Sequence, residues 1–392
     1  MTDLFNPSAE HRALRELVRS FAEREVDPQA EASDQTERFN IELFGKLGEL
    51  GLLGITVEER FGGAGLDPVA AVIAHEELSA ADPGFTLAYL AHSMLFANNL
   101  QINGSDAQRS TYLPDACSGK KVCGMCMSEP GAGTDVLGMQ TTAVRKGDTY
   151  VLNGAKMWIT NGAINDTELG DTYLVYARME GSARNQLSMF IVEKGFAGFG
   201  LGQKIKGKLG MRASTTAELV FEDCRVPAEN LVGSEGAATL HMMRNLEVER
   251  VALAAMSLGI ARRSIEVMNR YAGERTSFGK PLRDFGQIQR YISQSYAEYM
   301  AGRAYTYWTA ATMSLETPGQ RLDSDGVKLF TSTMAKDVAD RAIQVLGGYG
   351  YVAEYGVERL WRDAKLLEIG GGTLEAHQKN MCRELGRTDR IL

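Results

Sequence analysis

Nine prolines punctuate the chain, at 7, 28, 68, 83, 114, 130, 227, 281 and 318. They leave two long gaps, one between 130 and 227 and one after 318. Proline lacks a backbone donor and clashes with the preceding turn, so it interrupts helix interiors and central strands alike. Both gaps therefore have room for long unbroken elements. What fills them must be read from apolar periodicity.

Ahead of the first gap the period is helical. Leu14, Leu17, Val18, Phe21 and Ala22 keep helical spacing, with Arg15, Glu16, Arg19 and Ser20 between them. Further helices are predicted through Ile41, Phe44, Leu47 and Leu50, from Val69 to Leu78, and from Phe85 to Leu100, with a loop at Phe61-Gly62-Gly63-Ala64-Gly65. From about Val122 to Gly236 the pattern changes to short strand-like runs separated by turns, such as Tyr173–Ala177, Met189–Val192 and Glu218–Phe221. Asn153-Gly154, flanked by Tyr150-Val151-Leu152 and Lys156-Met157-Trp158-Ile159, predicts a tight hairpin. Helical spacing returns over 239–274, 285–315 and 321–346, and again from Leu374. Nearly proline-free helices of that length pack as a bundle. The chain is thus read as α+β. An α-helical N-terminal domain (1–121) precedes a middle β domain, barrel or sandwich (122–238), and an α-helical C-terminal bundle (239–392). This order excludes a doubly wound fold, in which strands and helices alternate.

Charge narrows the function. With 42 Lys+Arg against 50 Asp+Glu the net charge is −8, which lacks the basic footprint of a nucleic-acid binder or a polybasic membrane anchor. No apolar run approaches the roughly 18 residues of a spanning helix. The segment from Met1 to Pro7 has neither the basic nor the apolar region of a secretory signal, and five cysteines fit free thiols, so a cytoplasmic protein is expected. His11, His75, His92, His241 and His377 are scattered, and Cys123 and Cys126 form a single C-x-x-C without a second ligand pair, so no metal site is expected. Gly198-Phe199-Gly200-Leu201-Gly202 opens no helix and is read as a turn, not a dinucleotide loop. Neither a Walker sequence nor a G-x-S-x-G elbow occurs.

Four features stand out. Met127-Ser128-Glu129-Pro130-Gly131-Ala132-Gly133-Thr134-Asp135 follows a strand and offers N–H groups and hydroxyls to an anion, although a plain turn would look the same. Trp158-Ile159-Thr160-Asn161-Gly162 places a flat ring and a hydroxyl at a strand end. Ile343 to Tyr351 closes a helix with Gly347, Gly348 and Gly350. Finally, Met242, Leu246, Glu249, Leu253 and Met256 step by four and three along one helix face, and only Glu249 is polar. A carboxyl buried there is expected to have a raised pKa, as a general base near neutrality needs. The alternative is a Glu249 paired with Arg250 or another basic group. Glu247 lies roughly 200° around the helix and faces elsewhere.

Taken together, these segments resemble the acyl-CoA dehydrogenase family over nearly the whole chain. Cys126 to Asp135 is similar to one family signature. Gln344 to Asp363, with Gly347-Gly348-Tyr349-Gly350-Tyr351, Glu354 and Arg359, is similar to the other, and Glu274 to Pro281 resembles the flavin-contacting turn. The resemblance implies a homotetramer with one FAD per subunit and a C-terminal four-helix bundle. It implies flavin contacts from Met127, Ser128, Trp158 and Thr160, with Thr134 near the cofactor phosphates or the CoA. Arg275, Phe278, Gln344 and Gly348 would reach the FAD of a neighbouring subunit, and Thr373 would also touch the cofactor. Substrate contacts are implied at Thr134, Leu246, Glu247, Arg250 and Gly370.

Most members place the catalytic Glu directly before Gly-Thr, where this chain has Gly371 in Glu368-Ile369-Gly370-Gly371-Gly372-Thr373. In the isovaleryl and long-chain branches the base stands on a bundle helix before an Arg, which matches Glu249 in Leu246-Glu247-Val248-Glu249-Arg250. Ala91-His92-Ser93, Phe190 to Gly195, Lys208 to Arg212 and Phe221 to Cys224 also resemble the isovaleryl branch. Gly286 departs from the family, which often has Gln there as a cofactor contact. Glu247 replaces the Asp of the isovaleryl branch, and the stretch from Trp158 to Tyr173 is longer.

The implied reaction is α,β-dehydrogenation of an acyl-CoA, isovaleryl-CoA first, with electrons leaving to an electron-transferring flavoprotein. Glu249 takes the α proton, the β hydride goes to the flavin near Thr160, and the Gly371 N–H receives the thioester oxygen. Another branched or long acyl-CoA, an acyl-CoA oxidase, a non-catalytic FAD- or acyl-CoA-binding paralogue and a flavin monooxygenase on this fold are the competing readings.

Overall fold

The computed structural model describes residues 3–315, 319 and 321–387; Pro318, Met1, Thr2 and the end of the expected C-terminal domain lie outside the described residues. Helices come first: α1 (Ala9–Phe21), α2 (Asp27–Thr36), α3 (Ile41–Glu49), α4 (Pro68–Ala81), α5 (Pro83–Leu90), α6 (Asn99–Asn103) and α7 (Asp106–Cys117). A stretch of wide π-type turns, Ala91–Asn98, joins α5 to α6. Helices α2 and α7 lie outside the segments that apolar periodicity predicts as helical. Both carry a proline, and α7 keeps Pro114 in its interior, held by a Ser105–Gln108 capping box at its start.

Strands follow: β1 (Cys123–Cys126), β2 (Thr142–Lys146), β3 (Thr149–Thr160), β4 (Thr172–Met179), β5 (Leu187–Glu193), β6 (Phe199–Lys204), β7 (Thr216–Pro227) and β8 (Leu231–Val232). They form one sheet in the order β6-β7-β3-β2-β4-β5-β8, and β1 pairs with β4 in parallel.

Two sequence expectations fail here. Asn153-Gly154 is no hairpin, because β3 runs straight through it with an irregularity in its pairing to β7. The turn lies at Gly147-Asp148, where β2 meets β3. The pairing of β3 along both neighbours outweighs a local turn preference. Likewise Phe199 to Gly202 is not a turn but the start of β6, paired to β7.

The chain then returns to helices: α8 (Ala238–Glu274), α9 (Gly286–Thr312), α10 (Arg321–Leu346), α11 (Val357–Leu367) and α12 (Leu374–Leu385). Between α8 and α9 a short hairpin forms from β9 (Thr276–Ser277) and β10 (Lys280–Pro281). Helix α8 is the shared spine, packed against α4, α9 and α10. Helices α4 and α8 meet so closely that a Cβ on Gly259 would fall 2.5 Å from the Glu76 carbonyl oxygen. Buried Glu76 ties α1, α4 and α9 together, accepting from Arg15 at 3.0 Å, Arg303 at 2.9 Å and the Tyr299 hydroxyl at 3.0 Å. Burial would raise its carboxyl, but the cations around it outweigh that and hold it well below the usual range.

Candidate active site

On α8 the stripe of Met242, Leu246, Glu249, Leu253 and Met256 faces inward, and all but Leu246 are buried. Glu249 is 8% exposed and its Oε2 has no hydrogen-bond partner among the described residues. Burial pushes its carboxyl up to about 7, while the charges of Arg250 and Lys328 pull the other way. The pairing of Glu249 with Arg250 is not realised, since Arg250 turns to Asp325 of α10 at 3.2 Å. Glu247 points elsewhere, as the helix period requires, and accepts the Gly319 N–H at 3.1 Å.

The glycine stretch between α11 and α12 approaches this carboxylate. Gly371 has φ 66°, and a Cβ there would stand 2.3 Å from Leu253 Cδ1 and 3.5 Å from Glu249 Oε1. Bare backbone therefore faces Glu249 directly, in a conformation that disfavours side chains. Gly370 N–H donates to Leu366 O at 2.8 Å, and the Gly371 N–H enters no hydrogen bond among the described residues. Thr373 caps α12, its hydroxyl accepting the Ala376 N–H at 3.3 Å. A buried carboxyl near neutrality beside an unused N–H is the pair that proton abstraction next to a carbonyl requires.

A second group of candidates gathers on the sheet. Lys156 of β3 is fully buried and donates to Glu129 at 2.9 Å and to Met127 O at 3.1 Å. Glu129 also accepts the N–H groups of Gln140 and Thr141 at 2.5 Å and 2.9 Å. The loop after β1 is thus fixed from its inside, with Met127 and Ser128 half-buried and Thr134 exposed. Met157 N–H donates to Ser128 O at 2.9 Å, binding this loop to β3 where its pairing with β7 is irregular. There Trp158 adopts φ 66° and leaves its side chain 61% exposed, with Thr160 half-buried beyond it. A bulge of this kind re-aims a side chain out of the sheet.

A third group is remote within one chain. Arg275 lies 26 residues along from Glu249, about 39 Å at helical rise. Phe278 is 95% exposed on the β9–β10 hairpin, and Gln344 and Gly348 are exposed at the end of α10. Tyr271, Ala272, Val345 and Leu346 pack in one apolar cluster, so hairpin and α10 terminus share one end of the bundle. The chain does not bring these four residues to Glu249.

Sequence patterning missed several residues. Lys328 and Asp325 of α10 and His377 of α12 are buried beside the glycine stretch, and Lys156 and Glu129 meet across 27 positions. Their only sequence signal is a charge or imidazole inside a helix or strand otherwise suited to burial. Cys123 and Cys126 are buried free thiols in β1, and no metal-binding group of His, Cys, Asp and Glu is found among the described residues. No helix among them is long and apolar enough to cross a membrane.

Comparison with known proteins bears on these groups together. Residues 8–120 match the acyl-CoA dehydrogenase N-terminal domain, 124–224 its middle domain and 239–386 its C-terminal domain. The mitochondrial isovaleryl-CoA dehydrogenase of Solanum tuberosum is 41% identical over 377 residues, covering 95% of this chain and 90% of that protein. Butyryl-CoA dehydrogenase from Megasphaera elsdenii has the same fold, with a TM-score of 0.92 and 35% identity over 99% of both chains. A glutaryl-CoA dehydrogenase of Mycobacterium smegmatis, solved in complex with FADH2, gives a TM-score of 0.90 at 28% identity, covering 98% of this chain and 96% of that one. The chain belongs to the acyl-CoA dehydrogenase family.

Proposed function

We propose that this enzyme carries out α,β-dehydrogenation of a short branched-chain acyl-CoA, isovaleryl-CoA first, with Glu249 as the base. The observation that carries this reading is the buried, unpartnered Glu249 carboxylate facing the bare backbone of Gly371. The position where most of the family has its base is thus side-chain-free, and a carboxylate arrives from α8 instead. The 41% identity to an isovaleryl-CoA dehydrogenase supports the branched acyl group.

Members of the family depend on FAD. The residues present suit it: Trp158 and Phe278 leave flat apolar rings uncovered, as a planar aromatic ligand needs. Met127, Ser128, Trp158 and Thr160 would hold its ring end, Thr134 and Thr373 would contact it further along, and bound FAD supplies the acceptor for the β hydride. Arg275, Phe278, Gln344 and Gly348 would serve the FAD of a neighbouring subunit, so we assign a homotetramer. The support is their distance from Glu249 and their exposure.

Each remaining step belongs to the chain. Glu249 removes the α proton, and burial makes it basic enough to do so. The Gly371 N–H meets the thioester oxygen as charge develops, where a fixed donor stabilises most. Leu246 and Gly370 border the acyl group and Arg250 adjoins the base, while Glu247, on another face of α8, is assigned a substrate contact away from it. An electron-transferring flavoprotein is assigned as the electron acceptor.

The test is anaerobic titration of the purified enzyme with a panel of acyl-CoAs. Isovaleryl-CoA should bleach the flavin band stoichiometrically and at the lowest concentration. Bleaching by straight chains alone would overturn the substrate, and bleaching by none would overturn the reaction.

Gly286 offers a second check. It opens α9, and a Cβ there would meet nothing within 4 Å. Gly286→Gln should therefore fold unhindered, gain helix propensity of up to about 1 kcal/mol, and retain FAD more tightly on dilution, read by flavin fluorescence.

A further inference from the structure

Three consecutive glycines, Gly370 to Gly372, have no side chains with which to fix themselves, yet the middle one, Gly371, lies against the Glu249 carboxylate. Their shape is set from α10. Lys328, fully buried, donates to the carbonyls of Leu367 and of Gly372, the latter at 2.9 Å, and so grips both ends of the stretch with one ammonium. His377 of α12 also lies 3.0 Å from the Gly372 carbonyl, and its second nitrogen lies 2.5 Å from Asp325. Asp325 in turn holds Arg250, next in sequence to Glu249. A lysine is costly to bury without acceptors: burial pulls the Lys328 amine down to about 7, the Glu249 carboxylate acts against that pull, and the acceptors here are loop carbonyls.

We propose that Lys328 is a positioning residue: its amine holds the two ends of the glycine stretch whose middle member lies beside the Glu249 carboxylate, and its charged form favours the ionised base, so loop shape and base charge are set by a single side chain. The inference rests on the roles given above to Glu249 and Gly371. The charged and titratable groups around the pair are Arg250 on α8, Tyr176 on β4, Asp325 on α10, Glu368 after α11 and His377 on α12. Among those acting on Glu249, Arg250 and Lys328 both favour its charged form, and Lys328 is the one that also touches the loop. An anchor alone would need donors but no charge. The proposal therefore separates from a purely structural role by what happens to Glu249.

Two readouts in the intact holoenzyme test it. The first is the midpoint of the Glu249 carboxyl, read by infrared titration as the difference between each protein and its Glu249→Gln counterpart. The second is amide hydrogen exchange over 367–373. In Lys328→Met the carboxyl midpoint should rise by about one pH unit or more, because a favourable positive charge is gone, and exchange over the loop should quicken at least tenfold. Lys328→Arg should restore the midpoint. Should the methionine variant not fold, Lys328→Gln, which keeps a donor but not the charge, should show the raised midpoint with a smaller change in exchange. An unmoved midpoint in the neutral variants overturns the proposal, and a raised midpoint with unchanged exchange in Lys328→Met overturns the loop clamp. Neither readout needs a substrate. Failure of the acyl-CoA reading would show separately, as absence of bleaching in the unaltered enzyme.

Discussion

Glu249→Gln is expected to keep its flavin and fold while losing about 10³-fold or more in kcat, the scale of a positioned general base. The amide fills the same space on α8, so packing against Leu253 and the Gly371 backbone survives. What disappears is the ability to accept a proton. Anaerobic stopped-flow mixing with isovaleryl-CoA reads this directly, as the rate of flavin bleaching. A variant that bleaches at the unaltered rate would remove Glu249 from the reaction.

The pH dependence follows from the same burial. The base acts only when ionised, so kcat/KM of the unaltered enzyme should climb through about pH 7 and level off above it. Stability should move oppositely. An unfolded carboxyl near 4.5 releases its proton before the folded one near 7 does. The contribution of the neutral, buried carboxyl is therefore full below that lower value and is lost as pH rises through the upper one. Glu249→Gln should flatten this part of the stability profile, measured by urea midpoints across the same range.

The spine of the active site is legible in the sequence because it is periodic. Helix α8 has no proline over 37 residues, and its stripe of four and three steps identifies Glu249 without any tertiary information. Helices α10 and α12 begin where their patterns begin for the same reason. Local signals failed where tertiary pairing overrode them. Asn153-Gly154 has the composition of a turn, but β3 is paired on both sides, to β2 and to β7, and stays extended. The Lys328, Asp325 and His377 group has no sequence signature, because its members come from two helices and meet only at the glycine loop. Charges buried by mutual pairing carry no period, so patterning passes over them.

The Lys156–Glu129 pair is where that blindness has the largest consequence for stability. Lys156 is fully buried on β3 and Glu129 is 5% exposed in the loop after β1. Burial would raise the Glu129 carboxyl, but the Lys156 ammonium and the N–H donors of that loop outweigh it and hold it below the usual range. Removing one member of such a pair strands the other charge, which costs about 3–5 kcal/mol. Lys156→Met should therefore lower the urea midpoint sharply and release the Met127 carbonyl from its donor. FAD retention should fall with it, if Met127 and Ser128 hold the ring end as proposed. Adding Glu129→Gln to Lys156→Met removes the stranded charge while keeping an acceptor for Gln140 or Thr141. The double variant should then recover a large part of the lost stability, and recovery without return of the flavin would assign the ion pair itself to cofactor retention. A single variant as stable as the parent would show that the loop finds another partner, and that the pair does not anchor it.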